Sequence, residues 1–248
     1  MLSTMTTMSG EWTRPVLTGR HVRLEPLRTE HSGDLLRAAS TDRRSFSLTW
    51  VPDSDAAMRR YVSTALADRA LGLAVPLIIR RIPPTRPTQP APSSADGDSG
   101  ATIVGSTRFL DLGFWRPTAE GALGSTPVEP ADTAAASAAE SELPSVAEIG
   151  YTWLCAAAQR TAINTEAKLL LFEHAFTVWS ALRVYLKTDV RNTRSRAAIE
   201  RVGGRFEGVR RAHMPASDGT IRDTAYYSIT AAEWPSVRAN LVARLARP

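Results

Sequence analysis

The sequence predicts an α/β domain with a mixed, mostly antiparallel sheet, a central parallel pair of strands and helices on both faces. Two observations support this prediction. A strand, a helix and a second strand follow one another over residues 148–189, and such a unit places its two strands side by side in parallel. On either side of that unit, strand-like segments follow one another without a helix between them, as antiparallel hairpins do.

The N-terminal half predicts elements in the order β-α-α-β-β. Residues 16–27 alternate apolar and charged side chains and predict the first strand. The longer of the two helices, over 53–71, has Asp53 or Ser54 as its cap and an apolar stripe at helical spacing. The remaining elements are a helix over 29–39 and strands over 73–79 and 102–112.

The C-terminal half predicts the order β-α-β-α-β-β-α. A strand over 148–155 leads into a helix over 165–180, for which Asn164 or Thr165 is the expected cap. The predicted buried face of this helix consists of Leu169, Phe172, Phe176 and Trp179. The further elements are strands over 183–189, 205–210 and 224–229 and helices over 194–202 and 231–245, the last with Thr230 as its cap.

Three stretches lack the pattern of a folded element. We expect a flexible leader over residues 1–13 and flexible loops over about 82–100 and 116–146. The last stretch is rich in Ala, Ser, Pro and Glu and has hardly any large apolar residue, so it cannot bury enough surface to offset the entropy of ordering. The remainder, 14–248, is predicted to form one domain rather than two.

The composition fits a globular protein of the cytoplasm. With 248 residues, 43% of them hydrophobic, the chain can bury a sizeable core. No run approaches the roughly 18 consecutive apolar residues of a membrane span, and the polar N-terminal stretch lacks the apolar centre of a signal peptide. The single cysteine, Cys155, excludes an internal disulfide and suits a reducing compartment.

Positive charge is concentrated in one segment. The net charge is +5, and residues 187–211 contain eight basic and three acidic residues, an excess equal to that of the whole chain. Such a segment favours an anionic ligand or partner. It lacks the interleaved aromatic residues of a single-strand groove and the spacing of a helix-turn-helix or zinc finger. A phosphorylated small molecule therefore fits at least as well as a nucleic acid.

Two turns carry the residues best suited to binding and chemistry. Asn192 follows the strand over 183–189 and is a suitable N-cap for a helix that Gly203 and Gly204 end. The turn over 156–168 combines small residues with a helix N-terminus, whose free amides and dipole attract an anion such as pyrophosphate. An ordinary βα loop explains the residues of that turn about equally well.

Five parts of the chain stand in an order and spacing that match a known pattern. They are 148–151, a loop over 159–164, the following 165–167, the set Asn192, Ser195, Glu200 and Gly203, and the strand-like 222–228. Together they resemble the GNAT acyltransferase superfamily, in particular the branch of ribosomal-protein alanine and serine N-terminal acetyltransferases. The resemblance covers roughly 16–232 apart from the two loops.

The resemblance implies an acyl-CoA co-substrate, in the first place acetyl-CoA, attacked directly in a ternary complex by a primary amine. That amine is a protein N-terminus, a lysine or a small molecule. Glu148 is then expected to accept the amine proton, directly or through water, and Ser195 to protonate the departing thiolate. The resemblance also implies three groups of CoA-binding residues. One backbone amide among Trp153, Leu154 and Cys155 stabilises the oxyanion, and Asn192 and Ser195 lie along the pantetheine arm. The pyrophosphate is surrounded by Gln159, Arg160, Thr161, Ala162, Ile163, Asn164 and Thr165.

Two positions depart from the family pattern. Where the pyrophosphate loop usually has small glycine positions, this chain has Ala162 and Asn164. Alanine permits close approach but not a positive φ, whereas asparagine tolerates the left-handed region better than most residues. The loop can therefore still hold pyrophosphate, and the alternative is a degenerate loop with weak CoA binding.

Several alternatives stay open at this point. The chain could bind acyl-CoA without catalysis, as a sensor or interaction protein, or use succinyl-CoA, which the surplus arginines would favour. Glu148 could be an exposed glutamate at a strand end, and Ser195 a second capping hydroxyl. Cys155 could be a covalent nucleophile, although direct transfer is usual in the family, and His213 could line the acceptor site. No metal site is predicted, nucleic acid is not an expected partner, and a homodimer would agree with the branch.

Overall fold

A computed structural model describes residues 11–83, 101–114 and 143–247. The strands are β1 (Leu17–Thr18), β2 (Val22–Pro26), β3 (Ala74–Arg81), β4 (Thr102–Gly113), β5 (Val146–Leu154), β6 (Arg183–Asp189), β7 (Arg205–Pro215) and β8 (Ile221–Thr230). The α-helices are α1 (Ser32–Ser40), α2 (Asp55–Ala70), α3 (Ala162–Glu173), α4 (Thr193–Arg201) and α5 (Trp234–Leu245). All eight strands form one sheet in the order β1-β2-β3-β4-β5-β6-β8-β7.

Pairing within the sheet is antiparallel except between β5 and β6. These two strands run in parallel, from Val146 opposite Arg183 to Glu148 opposite Tyr185. A parallel connection has to return to the starting end of the sheet, and α3 provides that crossover. The predicted fold class, a mixed and mostly antiparallel sheet with a central parallel pair and helices on both faces, is confirmed.

Two apolar cores lie on opposite faces of the sheet. The larger core joins α3, α4 and α5 to one face, and Phe109, Phe172 and Trp179 are fully buried within it. The smaller core joins α1 and α2 to the other face. No residue of β6, β7 or β8 belongs to that smaller core. In the described part of the chain, one face of the C-terminal strands is therefore left uncovered by α1 and α2.

The first predicted strand is wrong in one respect, because residues 16–27 form a hairpin of two strands, β1 and β2. The turn of this hairpin is held by Glu166 on α3. The Glu166 carboxylate accepts hydrogen bonds from the backbone amides of Arg20, His21 and Val22 at 2.8, 2.6 and 2.8 Å. A turn that depends on a side chain so distant in the sequence leaves no local signal.

The start of α3 also differs from the prediction. The helix begins at Ala162 rather than near residue 165, because Thr161 is its N-cap and accepts a hydrogen bond from the Ile163 amide at 3.3 Å. Asn164 and Thr165 therefore lie within the helix instead of capping it. Of the predicted buried face, Phe172 and Trp179 are buried, whereas Leu169 and Phe176 are partly buried at the edge of the larger core.

The last helix begins three residues later than predicted. α5 starts at Trp234, with Glu233 rather than Thr230 at the N-cap position. The amide and the hydroxyl of Thr230 both donate to the Glu233 carboxylate at 2.9 Å. Residues 231–233, which the sequence pattern assigned to the helix, instead form the turn that follows β8.

Most of each predicted flexible stretch lies outside the described residues, which omit 1–10, 84–100 and 115–142. At two boundaries the prediction extends too far. The Trp12 ring lies 6.0 Å from the rings of both Phe114 and Trp179, so the packed chain begins before residue 14. Ser145 is fully buried and Val146 begins β5, so the second stretch ends before these residues.

Candidate active site

The gap between β5 and β6 forms the centre of the site. Their parallel pairing stops at Glu148 opposite Tyr185, although β5 continues to Leu154 and β6 to Asp189. Beyond that point β5 follows β4, with which it pairs through an irregularity near Tyr151, where φ is 49°. Strands that separate in this way leave main-chain groups turned toward the gap. An extended ligand with amide groups can pair with them.

The end of β5 forms the first wall of the cleft. Of the three residues expected to supply an oxyanion donor, Cys155 has its amide engaged with the Val104 carbonyl oxygen at 2.8 Å. Amides of alternate residues in an antiparallel pair point to the same side, so Trp153, which pairs with Ser106 in the same register, also faces β4. The Leu154 amide is the remaining candidate. The Cys155 thiol is partly buried and makes no hydrogen bond within the described ranges.

The turn from β5 into α3 has the backbone geometry of a site that can attract an anion. Arg160 has a φ of 58°, and Thr161 then caps the helix. The first-turn amides that the cap does not use point out of the helix end, where the dipole is positive. Ala162 and Asn164 lie within this right-handed turn, so the positive φ of the region falls on Arg160. Neither departure from the family pattern is therefore a conformational obstacle.

Helix α4 forms the second wall. The predicted cap is confirmed, because the Asn192 side-chain oxygen accepts a hydrogen bond from the Ser195 amide at 3.0 Å. The Ser195 hydroxyl is half-buried and has no hydrogen-bond partner among the residues described. Since Asn192 provides the cap, Ser195 is not needed for that purpose, and its hydroxyl is free for a ligand.

Ser45, in the connection between α1 and α2, touches both walls. Its hydroxyl accepts a hydrogen bond from the Gln159 amide group at 2.8 Å, and its carbonyl oxygen accepts one from Arg194. Gln159 also donates to the Leu154 carbonyl oxygen at 2.8 Å. The Gln159 side chain therefore joins the first wall to Ser45. No local sequence signal indicates this link, because it joins three segments that are far apart in the chain.

Glu148 lies where the two strands part. It is buried, with 2% of its surface exposed, which contradicts the alternative of an exposed glutamate at a strand end. Lys187 of β6 lies beside it, with Nζ 2.7 Å from Glu148 Oε2. Burial raises the pKa of the Glu148 carboxyl, and the neighbouring Lys187 opposes that rise. A carboxylate with a raised pKa at the inner end of the gap is suited to accepting a proton.

The uncovered sheet face beside Glu148 carries further polar groups. The Tyr185 hydroxyl donates to the Asp111 carboxylate, and burial together with this bond raises the pKa of Tyr185. The Tyr185 and Tyr226 rings are stacked, with centroids 6.3 Å apart. His213 lies close to Tyr226, with 3.4 Å between Nε2 and the tyrosine hydroxyl. His213 therefore lies beside Tyr226 on this face, and its role in an acceptor site stays a prediction.

Lys168 approaches the same region from the opposite side of the sheet. It projects from α3, is buried, and donates from Nζ to the Thr152 hydroxyl at 2.8 Å. Thr152 in turn shares a hydrogen bond of 2.7 Å with Thr107. Burial lowers the pKa of Lys168 to about 7, and the negative charge of Glu148 acts against this shift.

The predicted site residues thus lie at the end of β5, in the turn into α3 and its first turn, and at the start of α4, with Glu148 where β5 and β6 part. The side chains of Trp153, Leu154, Ile163 and Thr165 are buried, so these residues can reach a ligand through their backbone alone. Lys187 was not predicted as a site residue. The alternation along β6, where Val184 and Leu186 enter the core, already placed Lys187 on the opposite face and could have identified it.

A family comparison decides the classification of the chain. The family model for the acetyltransferase (GNAT) domain matches residues 21–205, which include both walls of the cleft. The chain belongs to the GNAT acetyltransferase family. The resemblance of its motifs to the GNAT superfamily is therefore confirmed, and the chain is an N-acetyltransferase.

Solved structures of this GNAT fold cover nearly the whole chain. A GCN5-related N-acetyltransferase from Brucella melitensis is 25% identical, covers 99% of this chain and 91% of its own, and superposes with a TM-score of 0.68. Mycobacterium smegmatis RimJ, solved with CoA-disulfide, is 21% identical over 93% of each chain, with a TM-score of 0.62. The microcin C7 self-immunity acetyltransferase MccE, solved with acetyl-CoA and AMP, is 17% identical over 86% and 93%, with a TM-score of 0.60. No curated protein matches the sequence.

The described residues of this GNAT protein show neither a membrane-spanning helix nor a cluster of metal ligands. Among them, no helix has the length and apolar character needed to cross a membrane. No group of three or more His, Cys, Asp or Glu side chains within those residues could hold a metal ion. As a GNAT enzyme, the protein uses an acyl-CoA co-substrate and an acceptor.

Proposed function

We propose that this GNAT enzyme transfers an acetyl group from acetyl-CoA to a primary amine by direct attack in a ternary complex. The observation that carries the proposal is the position of Glu148, a buried carboxylate at the inner end of the gap between β5 and β6. The acyl-CoA enters the gap from the α3 side, and the amine approaches over the uncovered sheet face. A protein N-terminus, a lysine and a small amine are all acceptors of this class.

Binding of acyl-CoA is assigned to the two walls of the cleft. The pyrophosphate lies at the N-terminus of α3, where the turn over 159–165 presents backbone amides and the helix dipole. Asn192 holds the pantetheine arm from the second wall with the amide nitrogen that its capping bond leaves free. Because the amides of Cys155 and Trp153 face β4, the thioester oxygen is bound by the amide of Leu154.

The chemistry needs two proton transfers, and the chain offers a group for each. The amine must lose a proton before it attacks, and Glu148 accepts this proton directly or through water. The raised pKa of Glu148 brings the carboxyl closer to the pKa of the amine, which favours the transfer. The tetrahedral oxyanion is stabilised by a backbone amide. The departing thiolate then receives a proton or a hydrogen bond from the Ser195 hydroxyl.

The experiment is an amine-dependent thiol-release assay in a buffer that contains no amine. Wild type is expected to release CoA with at least one amine of a broad panel. Glu148→Gln and Ser195→Ala are each expected to lower kcat about 100-fold, in line with the loss of a general acid or base, while the CoA dissociation constant changes less than threefold. Absence of thiol release with every amine would refute the proposal.

The same assay decides between catalysis and acyl-CoA binding alone. That alternative rested on the altered glycine positions, Ala162 and Asn164, and on the two long loops. Both residues lie in a right-handed helical turn that needs no glycine, and most of each loop lies outside the described residues. Catalysis is therefore the better-supported function. A protein that binds CoA with a rise in melting temperature, yet acetylates no amine, would return the alternative to first place.

A further inference from the structure

The uncovered sheet face beside Glu148 contains a groove. Its volume is about 440 Å³, within the range of sites for small molecules. It is lined by Asp111, Leu112, Gly113, Val146, Arg183, Tyr185, Arg210 and Tyr226. Tyr185 pairs across the sheet with Glu148, so the groove leads to the carboxylate that is proposed to accept the amine proton.

The charges around this groove are unequally matched. Lys187 is paired with Glu148 at 2.7 Å, and Arg183 with Glu207 at 2.5 Å. Arg210 and Arg222, by contrast, have no carboxylate within 4.0 Å among the described residues. Among the described residues that line the groove, Asp111, which accepts a hydrogen bond from Tyr185, is the one carboxylate.

Arg222 is the more informative of the two unmatched arginines. It is not one of the residues that line the groove, but it lies on the same face of β8 as Tyr226, which does. It is only partly exposed and donates from Nε to the Thr224 hydroxyl at 3.0 Å. Burial lowers the pKa of its guanidinium, and the negative charges of Asp189 and Glu148 oppose that effect. A half-buried guanidinium bonded to one hydroxyl has donors left over, and guanidinium groups bind carboxylates and phosphates in a two-point geometry.

This charge pattern restricts the acceptor. A primary amine is largely protonated near neutral pH, and on its way to Glu148 it passes Lys187, Arg210 and Arg222. Lys187 is compensated by Glu148, but a polyamine or another polycation is repelled by the two unmatched arginines. An amine with a nearby anionic group carries no net positive charge, and its anionic group can pair with the unmatched arginines.

We propose that the acceptor is a small amine that carries a carboxylate or phosphate close to the amino group, and that Arg222 and Arg210 bind this anion. The inference rests on the proposed acetyl transfer. In the reaction, the amine nitrogen forms a bond to the thioester carbonyl carbon and the carbon–sulfur bond breaks. The amine proton passes to Glu148, and the CoA sulfur leaves and is protonated to the thiol.

The experiment compares acceptors that differ in the anion alone. Phenylalanine is paired with phenethylamine, and phosphoethanolamine with ethanolamine, with spermidine as a polycation, and kcat/KM is measured at constant ionic strength. At least one anionic member is expected to exceed its neutral partner by about tenfold or more, a difference typical of one charge-assisted contact. The two pairs distinguish a carboxylate from a phosphate.

Variants then test the assignment to the arginines. Arg222→Gln and Arg210→Gln are each expected to reduce the preference about tenfold, mainly through KM, whereas Arg222→Lys keeps part of it. Arg211→Gln is the matched control, because Arg211 is exposed on the same strand and does not line the groove. Melting temperatures identify any variant that fails to fold, and Arg210→Gln, at an exposed position, preserves the test in that case.

Each outcome has a defined meaning. Equal kcat/KM values within both pairs, or a preference that survives in Arg222→Gln and Arg210→Gln, overturn the inference while acetyl transfer stands. A preference for succinyl-CoA over acetyl-CoA without any acceptor preference also overturns it, because the arginines would then bind the acyl group. Failure to release thiol with every amine overturns the proposed function itself.

Discussion

The ammonium group of Lys187 lies 2.7 Å from the carboxylate of the buried Glu148, at the point where β5 and β6 part. The pair joins the two strands across the inner end of the cleft. The positive charge of Lys187 limits the rise in the Glu148 pKa that burial produces. A carboxylate at this position can then be ionised, and so act as a base, at a lower pH than burial alone would allow.

Removing the Lys187 charge is therefore expected to shift the pH profile of activity. In Lys187→Met the pKa of Glu148 rises further, so the pH below which kcat/KM falls moves upward by about one unit or more. Lys187→Arg, which keeps the charge, is the control and is expected to shift less. The measurement is kcat/KM for thiol release across pH. An unchanged acidic limb in Lys187→Met would show that Glu148 is not the group that titrates.

Glu166 is expected to stabilise the fold rather than to bind ligand. Its carboxylate accepts hydrogen bonds from three backbone amides of the β1–β2 turn. Glu166→Ala therefore leaves these three donors without their hydrogen-bond acceptor. The expected loss in the free energy of unfolding is about 3 kcal/mol or more, measured by urea denaturation. A loss below about 1 kcal/mol would contradict this role.

Two glycine positions provide a matched test of the same contact. In Gly19→Ala the new Cβ would lie 2.5 Å from the Glu166 carboxyl carbon, so that the Glu166 side chain or the turn it binds must shift. At Gly33 of α1 nothing lies within 4 Å of the added atom, and alanine is the better helix former. Gly19→Ala is expected to destabilise the protein and Gly33→Ala to leave stability unchanged or raise it.

Lys168 makes the stability of the protein dependent on pH. Its pKa falls from 10.5 to about 7 on folding, so between these values the unfolded chain binds the proton more tightly. The free energy of unfolding contributed by this residue therefore rises with pH across that window, by up to about 1.4 kcal/mol per pH unit. Below about pH 7 both states are protonated and the cost of burying the charge is constant.

The comparison of wild type with Lys168→Met isolates this effect. Urea denaturation between about pH 7.5 and 9.5 is expected to show the wild type gaining stability relative to the variant. Thr152→Val, which removes the hydrogen-bond partner and keeps the lysine, is expected to retain the pH dependence. Parallel curves for wild type and Lys168→Met would contradict the assignment.

The departures at Ala162 and Asn164 are expected not to limit CoA binding. Ala162 lies in the first turn of α3, where glycine would cost up to about 1 kcal/mol in helix stability and offer no conformational benefit. Ala162→Gly is therefore expected to leave the CoA dissociation constant unchanged or to increase it, as measured by calorimetry. A clearly tighter complex would mean that the Cβ atom obstructs the ligand.

Features with a local signal were predictable from the sequence. The bounds of β6 and the capping role of Asn192 followed from residues adjacent in the chain. The hairpin turn at Gly19 was not predictable, because Glu166 holds it from a distant helix. The start of α3 was misplaced because Thr161, Asn164 and Thr165 are all suitable caps, and three-dimensional packing selects one of them.

For the site, the order of motifs located both walls, whereas the partners of each residue required the register of the sheet. Lys187 reaches Glu148 because β5 and β6 are parallel with Glu148 opposite Tyr185, two residues before the lysine. Arg222 reaches the same face through the pairing of β6 with β8. Such registers depend on pairing between separate strands, and no single segment encodes them.

The central claim is that the acetyl group passes directly from CoA to the amine within a ternary complex. It is tested most directly by initial velocities measured while acetyl-CoA and the best amine are varied together. The account predicts intersecting lines in the double-reciprocal plot and no acetyl group on the enzyme after incubation with acetyl-CoA alone. Parallel lines, together with an acetyl group on Cys155 detected by mass spectrometry, would contradict it.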